Sequence, residues 1–251
     1  LYYLQDNNWG KAFFSSNRKE ARALKQQSCC NDIFSHETEK IIPPEIIITQ
    51  QVNILTLEAS ELIPITLFFD NDHPNPNSWD TTTSINYADS YEAYISHRKL
   101  FETEFSRGFR GNDKTLLTDS ISRFFDAEVV GEYQKLTKFA SLLKELVQKE
   151  QVIEVTIKGY TSPLHSTEYN EVLAKRRISS IENFFYEYDN GFFLPYIESK
   201  KIVISRLAFG KTMVRGNVSD DPRDRRNSVF SPAASAERKV QIVAVSVNKE
   251  E

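Results

Sequence analysis

Three polar residues in the second half of the chain, Ser162, His165 and Glu168, have the side chains of a hydrolase triad. A serine nucleophile of the α/β-hydrolase kind lies in a Gly-x-Ser-x-Gly turn, and Ser162 has neither glycine. Asp70 and Asp72 could perform general acid–base chemistry, but they fall in a segment rich in turn-forming residues. The chain also lacks a glycine-rich phosphate loop. These patterns favour a non-enzymatic protein.

A second polar group is built around Asn170 and Arg177, which are seven residues apart and so share one face of a predicted helix. Arg177 could instead pair with a surface carboxylate, and Asn170 could simply bond the backbone. The basic run 175–177 also has the character of a partly solvated helix face. The remaining members lie at the ends of two predicted strands: Asp70, Asn71, Asp72, Thr161 and Ser162. Asp70 and Asn71 could equally well serve only to cap a turn.

The two cysteines of the chain, Cys29 and Cys30, are adjacent. A structural zinc site takes four ligands, usually from spaced cysteine pairs, and His36 is the one further candidate nearby. Adjacent cysteines could form a strained vicinal disulfide, take part in metal or redox chemistry, or remain inert thiols. The sequence favours inert thiols, and it predicts no metal site and no cofactor.

The composition is that of an ordinary folded protein of 251 residues, with 26% charged residues and a net charge of −4. A general nucleic-acid binder would be more basic, so we expect no nucleic-acid partner. No stretch reaches the roughly 18 consecutive apolar residues of a membrane helix. The chain opens at Leu1 and looks like a processed or truncated piece, so the lack of a signal peptide has no bearing on export.

Residues 1–42 are predicted to form a β-rich N-terminal piece, and the prolines at 43 and 44 mark a break after it. The β-branched runs 46–48 and 52–57 then predict two β segments. The N-terminal piece resembles the last blade of a Tol-B-like β-propeller, through Ser-Ser-Asn-Arg at 15–18 and Cys-Cys-Asn-Asp-Ile-Phe at 29–34. The alternative is a β-hairpin packed on the main domain.

From residue 65 onward, strand and helix patterns alternate. Apolar runs with partial alternation predict strands near 65–69, 152–158, 202–208 and 239–247. Spacings of three and four predict helices over 84–126, 132–149 and 167–188, the last beginning at Ser166 or Thr167. This order predicts an α/β (α+β) sandwich: a mixed sheet of four or more strands, with the last two helices on one face. The insertion at about 74–131 is expected to bury Tyr91, Phe101, Phe105 and Phe124.

Four segments in this order resemble the OmpA-like C-terminal domain, over about residues 63–248. The first strand ends in Phe-Asp at 69–70, and the second ends in Gly-Tyr-Thr-Ser at 159–162, where the family has Gly-His-Thr-Asp. The next helix has Tyr-Asn at 169–170, Leu-Ala at 173–174 and Arg177 at the family's spacing. The last strand opens with Glu-Arg-Lys-Val at 237–240, where the family has Asn-Arg-Arg-Val.

The resemblance implies a non-covalent peptidoglycan-binding anchor of a Gram-negative envelope, of the Bacteroidetes type, in the periplasm and associated with the outer membrane, for example in a lipoprotein. In the family, an Asp binds the ammonium of diaminopimelate in the stem peptide and an Arg binds its carboxylate. The resemblance implies that Arg177 occupies the position of the carboxylate-binding Arg. It places Ser162 where the family has the ammonium-binding Asp, and a neutral hydroxyl cannot replace the negative charge of that Asp. Asp70 or Asp72 would then have to supply it.

Two functions remain open on this basis. One is peptidoglycan anchoring, and the other is a protein-interaction scaffold of a gliding or secretion machine that kept the fold but lost the wall ligand. The long insertion is a natural contact site for an envelope protein partner, or else a decoration that covers the sheet. Ser162 favours the scaffold, whereas Asp70, Asn170 and Arg177 favour wall binding.

Overall fold

The computed structural model describes residues 2–5, 9–16, 32–39, 44–211 and 218–249. The chain divides into two compact units, 1–51 and 52–251. In the first unit, β1 (Tyr2–Gln5), β2 (Trp9–Ser16) and β3 (Asp32–Glu39) form an antiparallel sheet in that order. Cys29, Cys30, the second half of the turn at 15–18 and the loop residues 212–217 lie outside the described residues.

The prediction of β segments at 46–48 and 52–57 is wrong, because both runs lie in a single helix, α1 (Pro44–Glu61). Pro44 is its first residue, where a missing N–H costs nothing, and Glu45 lies in the first turn, where the helix dipole favours an acid. β-Branched residues lower helix propensity only slightly, so packing can override it. Here the packing comes from Ala59, which is buried in the core of the second unit, and from Val52 and Leu55, which pack partly buried against that core.

A mixed four-stranded sheet forms the centre of the second unit, as the sequence predicted. Its spatial order is β4, β7, β5, β6. β7 is antiparallel to both β4 and β5, and β5 and β6 are parallel to each other. β4 and β5 therefore run in the same direction on either side of β7, and their carboxyl ends meet at one edge of the sheet. The strand bounds are β4 (Ile65–Phe68), β5 (Gln151–Thr161), β6 (Ile202–Lys211) and β7 (Lys239–Lys249).

Two helices, α5 (Gly131–Gln148) and α6 (Thr167–Gly191), pack on the sheet. Along β5 the residues alternate between the two sides, with Ile153, Val155 and Ile157 buried in the same core as both helices. Gly159 lets β5 and α6 approach each other closely, because a Cβ atom there would lie 2.8 Å from the carbonyl oxygen of Ala174 on α6. The predicted α/β sandwich with one covered face is confirmed.

The insertion is mainly helical, as expected, although its helices begin at residue 87 and not at 84, and a non-helical break lies at 106–110. Its helices are α2 (Tyr87–Ser96), α3 (Arg98–Phe105) and α4 (Gly111–Arg123), and a π-helical turn (Phe124–Val130) then leads into α5. Phe101 and Phe124 are buried in a second core with Phe68 of β4, whereas Tyr91 and Phe105 are only partly buried. The insertion thus covers β4, and its aromatic stripe is mainly packing. Two short helices were not predicted: α7 (Leu194–Glu198) and α8 (Pro232–Glu237).

Candidate functional site

The predicted site residues come together at the carboxyl ends of β4 and β5. Asp70, Asn71 and Asp72 follow β4, Thr161 is the last residue of β5, and Ser162 follows it. The start of β7 lies between them, where the Phe69 N–H donates to the carbonyl of Arg238 at 2.9 Å. α6 begins beside this edge, and its N-cap Ser166 accepts a hydrogen bond from the Tyr169 N–H. The sheet topology therefore gathers four separate segments in one place.

Arg177 lies where the sequence placed it, but its side chain is fully buried. Its Nε donates to the carbonyl of His73 at 3.0 Å, Nη1 to that of Tyr160 at 3.0 Å, and Nη2 to that of Asp70 at 3.3 Å. Burial, reinforced by the nearby charge of Arg238, lowers the pKa of Arg177 to about 9. Arg177 thus fixes both strand-end loops to α6, and its side chain does not face solvent.

Arg176 holds the loop that follows β4, a role the sequence did not reveal. Reading the run 175–177 as a partly solvated helix face is correct for Lys175 and wrong for Arg176, which is also fully buried. The Arg176 Nε donates to the carbonyl of Pro74 at 2.7 Å. Its Nη1 donates to the carbonyls of Ser78 at 2.6 Å and Asp80 at 3.0 Å.

Both acidic residues of the site already have partners inside the protein. Asp70 accepts a hydrogen bond from the Asn71 N–H, and its other oxygen lies 2.7 Å from Nδ1 of His97 on the insertion. Asp72 accepts from the Asn77 N–H at 2.8 Å and from the Tyr169 hydroxyl at 2.5 Å. Burial raises the pKa of the Tyr169 hydroxyl, and its bond to Asp72 raises it further. Neither carboxylate is an open ammonium site in this geometry.

Several buried polar atoms near this edge have no hydrogen-bond partner among the described residues. Asn170 is fully buried, and its Nδ2 donates to the carbonyl of His165 at 2.9 Å while its Oδ1 has no partner. Unpaired buried polar atoms are costly, and in native proteins they call for a bound water, a ligand or strain. The other such side-chain atoms on segments that reach this edge are Thr161 Oγ1, His165 Nε2, Ser228 Oγ and Arg238 Nη1.

A small pocket opens beside these atoms. It measures about 170 Å³ and is lined by Asn71, by Leu164 and His165 of the β5–α6 loop, and by Pro222, Arg225 and Val229 of the segment before β7. Arg225 is exposed and lies over the ring of Phe230 at 5.3 Å. It has no ion pair with any acid of the described residues. The pocket therefore offers a guanidinium to an incoming anion.

Local sequence does not distinguish Arg225, because it stands in the charged run 223–226 among other arginines. The one usable signal was its place in the polar segment between the last two strands, which the topology brings to the ends of β4 and β5. The long-range pairing that makes this loop part of the site cannot be read from local spacing.

An exposed aromatic side chain adjoins this region. Trp79 is 64% exposed, and its ring meets that of Tyr169 edge-to-face at 5.2 Å. Tyr169 in turn lies 4.9 Å from the ring of His165, which lines the pocket. The main chain on both sides of Trp79 is held by Arg176. The indole is therefore presented on an anchored loop.

The triad-like residues do not form a relay. Ser162 is buried, Glu168 is exposed in the first turn of α6, and no hydrogen bond joins Ser162, His165 and Glu168 in the described part of the chain. Backbone and Ser166 hydrogen bonds lower the pKa of Glu168.

Across the described residues, no cluster of three His, Cys, Asp or Glu side chains could hold a metal ion, and no helix is both long and apolar enough to span a membrane.

Comparisons with protein-family models, with curated proteins and with solved structures find no match for this chain.

Proposed function

We propose that this chain is a non-covalent peptidoglycan-binding module of a Gram-negative envelope, with the architecture of an OmpA-like domain. The observation that carries the proposal is the pocket at the ends of β4 and β5, which combines the exposed Arg225 with the side chains of Asn71 and His165. A stem peptide ends in carboxylates, and a guanidinium fork binds a carboxylate with two parallel hydrogen bonds.

In this proposal Arg177 and Arg225 have different roles. Arg177 shapes the site by holding the loops that follow β4 and β5. Arg225 contacts the ligand, because it is the arginine that lines the pocket. The unpaired Nε2 of His165 is a further hydrogen-bonding group for the peptide.

The second candidate function is an interaction scaffold that kept the fold and lost the wall ligand. Ser162 favours it, since a hydroxyl stands where an ammonium-binding acid is expected. The internal pairing of Asp70 and Asp72 favours it as well, because neither carboxylate is left to replace that charge.

Co-sedimentation with purified sacculi tests the proposal. Arg225→Ala should weaken binding about tenfold, the loss of one charge-assisted hydrogen bond of about 1.4 kcal/mol. Arg223→Ala is the matched control, because it removes the same charge from an exposed neighbour that does not line the pocket. Free diaminopimelate should compete with sacculi for the wild-type protein.

Two results would reject peptidoglycan binding at this pocket. One is a wild-type protein that stays in the supernatant at every sacculus concentration. The other is an equal loss of binding in Arg225→Ala and Arg223→Ala, which would show a general charge effect.

A further inference from the structure

The outer edge of β6 exposes a row of main-chain hydrogen-bonding groups. β6 is the last strand of its sheet, and it pairs with β5 alone in the described part of the chain. The Ile153 N–H donates to the carbonyl of Lys201, so the odd-numbered residues of β6 up to Leu207, before the register shift at Gly159 of β5, direct their N–H and C=O groups toward β5. The groups of Ile202, Ile204, Arg206 and Ala208 therefore point outward.

Along β4, the opposite edge of the same sheet is protected. β4 has only four residues, and its Thr66 N–H donates to Oε2 of Glu132 on α5 at 2.6 Å. The insertion also packs against Phe68 of this strand. Proteins usually shorten, charge or cover their edge strands in this way, because an open edge recruits other strands. β6, with ten residues, has no such cover among the described residues.

Both sides of the β6 edge can accept the side chains of an added strand. On the helix side, a groove of about 370 Å³ lies between Ile202, Ile204 and Arg206 of β6 and the helical residues Glu182, Tyr186 and Ile197. On the other side, Val203, Leu207 and Phe209 are 40%, 43% and 50% exposed. An extended chain laid along this edge would cover apolar surface on both sides of the sheet.

We propose that the occupant is a second copy of this chain, with the two β6 strands antiparallel about a two-fold axis at Ser205. In this register Val203 faces Leu207 of the second copy, and Leu207 faces its Val203. The outward groups also match, since Ile204 would exchange hydrogen bonds with Arg206 and Ile202 with Ala208. Two-fold pairing requires a surface that is complementary to itself, and the segment 202–208 satisfies this requirement.

The charges at the edge fit the same arrangement. Arg206 forms an ion pair with Glu182 of α6, which lines the groove. In the proposed register, Arg206 of the second copy enters beside Ile204, within reach of this Glu182, and the relation is mutual. Each Arg206 would then have a Glu182 of both copies within reach, so the two arginines and two glutamates complement one another across the axis.

Disulfide trapping tests the register. Residues facing each other at Ser205 form a non-hydrogen-bonded pair with Cα atoms about 4.5 Å apart, a separation that a disulfide accepts. With Cys29 and Cys30 replaced by Ser, Ser205→Cys should give a crosslinked dimer under mild oxidation. Leu207→Cys is the control: it lies four residues from its own symmetry mate, about 14 Å along the strands, and should stay monomeric on a denaturing gel. Equal crosslinking of both variants, or of neither, would overturn the proposal.

The solution mass tests the interface independently of cysteine chemistry. Light scattering after gel filtration should give a dimer for the wild-type chain and a monomer for Leu207→Glu, with the two circular dichroism spectra alike. The double variant Val203→Lys/Leu207→Glu should recover the dimer, because each Lys would face a Glu of the other copy. Ala244→Glu, exposed on β7 and away from this edge, is the control and should remain dimeric. A monomeric wild-type chain, or a Leu207→Glu variant of unchanged mass, would refute the pairing.

Discussion

The guanidinium Nη1 of Arg177 donates a hydrogen bond of 3.0 Å to the carbonyl oxygen of Tyr160, so α6 holds the end of β5 through one buried cation. The same guanidinium also holds His73 and Asp70 in the loop after β4. One side chain thus connects the two strand ends that border the candidate site. Replacement of Arg177 should therefore act first on the stability of the fold, and any change in ligand binding should follow from that loss of stability.

Arg177→Ala should lower the free energy of unfolding by about 3–5 kcal/mol, because three carbonyl groups would each lose a hydrogen bond from a charged donor. Lys175→Ala, on the exposed side of the same helix, should change it by less than about 0.5 kcal/mol. Urea unfolding followed by circular dichroism measures both values. Equal stability of the two variants would show that Arg177 does not hold the site together.

Gly159→Ala should destabilise the protein by about 1–3 kcal/mol, because its Cβ would lie 2.8 Å from the carbonyl of Ala174 and 3.1 Å from Ile178. Gly131→Ala is the opposite case, since it has helical backbone angles and its nearest neighbour would be 4.0 Å away. There the gain in helix propensity should stabilise the protein by up to about 1 kcal/mol. Thermal unfolding of the two variants should therefore shift in opposite directions, and a shift in the same direction would contradict this packing.

The buried Tyr87 should make the protein sensitive to alkali. Burial raises the pKa of Tyr87 well above its ordinary value, and its hydroxyl donates to the carbonyl of Phe68 at 3.2 Å. Since the folded-state pKa is raised, this stabilisation is complete below the pKa of an unfolded tyrosine, about 10, and is lost as the pH rises above it. The free energy of unfolding should fall less steeply between about pH 10 and 11 in Tyr87→Phe. Identical slopes would mean that Tyr87 ionises while the protein stays folded.

Ser162→Asp tests whether a missing acid limits wall binding. If it does, Ser162→Asp should bind sacculi about tenfold more tightly than Ser162→Asn, because a charge-assisted hydrogen bond contributes about 1.5 kcal/mol or more. Asn has the shape of Asp without its charge, so the pair separates charge from size. If the wild type fails to bind and Ser162→Asp binds, the scaffold is the natural function. If neither binds, the resemblance to the family is one of fold alone.

The order of strands and helices from residue 65 onward could be predicted from the sequence because it depends on local periodicity. Alternation along β5 and the spacing of Leu136, Phe139, Leu143 and Leu146 on α5 reflect the side of each element that meets the core. Local patterns failed at α1, where the isoleucines favoured a strand although Val52, Leu55 and Ala59 pack as a helix against the core of the second unit. The pairing of β7 between β4 and β5 was also beyond local reasoning, since it joins residues more than 80 positions apart.

The sequence alone determined that Asn170 and Arg177 share a helix face and that Asp70 and Ser162 stand at strand ends. Only the tertiary structure decided which of these side chains could meet a ligand. Arg176 and Arg177 are consecutive residues that resemble a solvated basic run, yet both are buried, because the loop after β4 folds over α6 and its carbonyls accept hydrogen bonds from both guanidinium groups. Arg225 carries the same charge but lines the pocket, and its side chain donates to no carbonyl in the part of the chain that the structure describes. A guanidinium becomes structural or available according to which acceptors surround it, and that depends on contacts the local sequence does not encode.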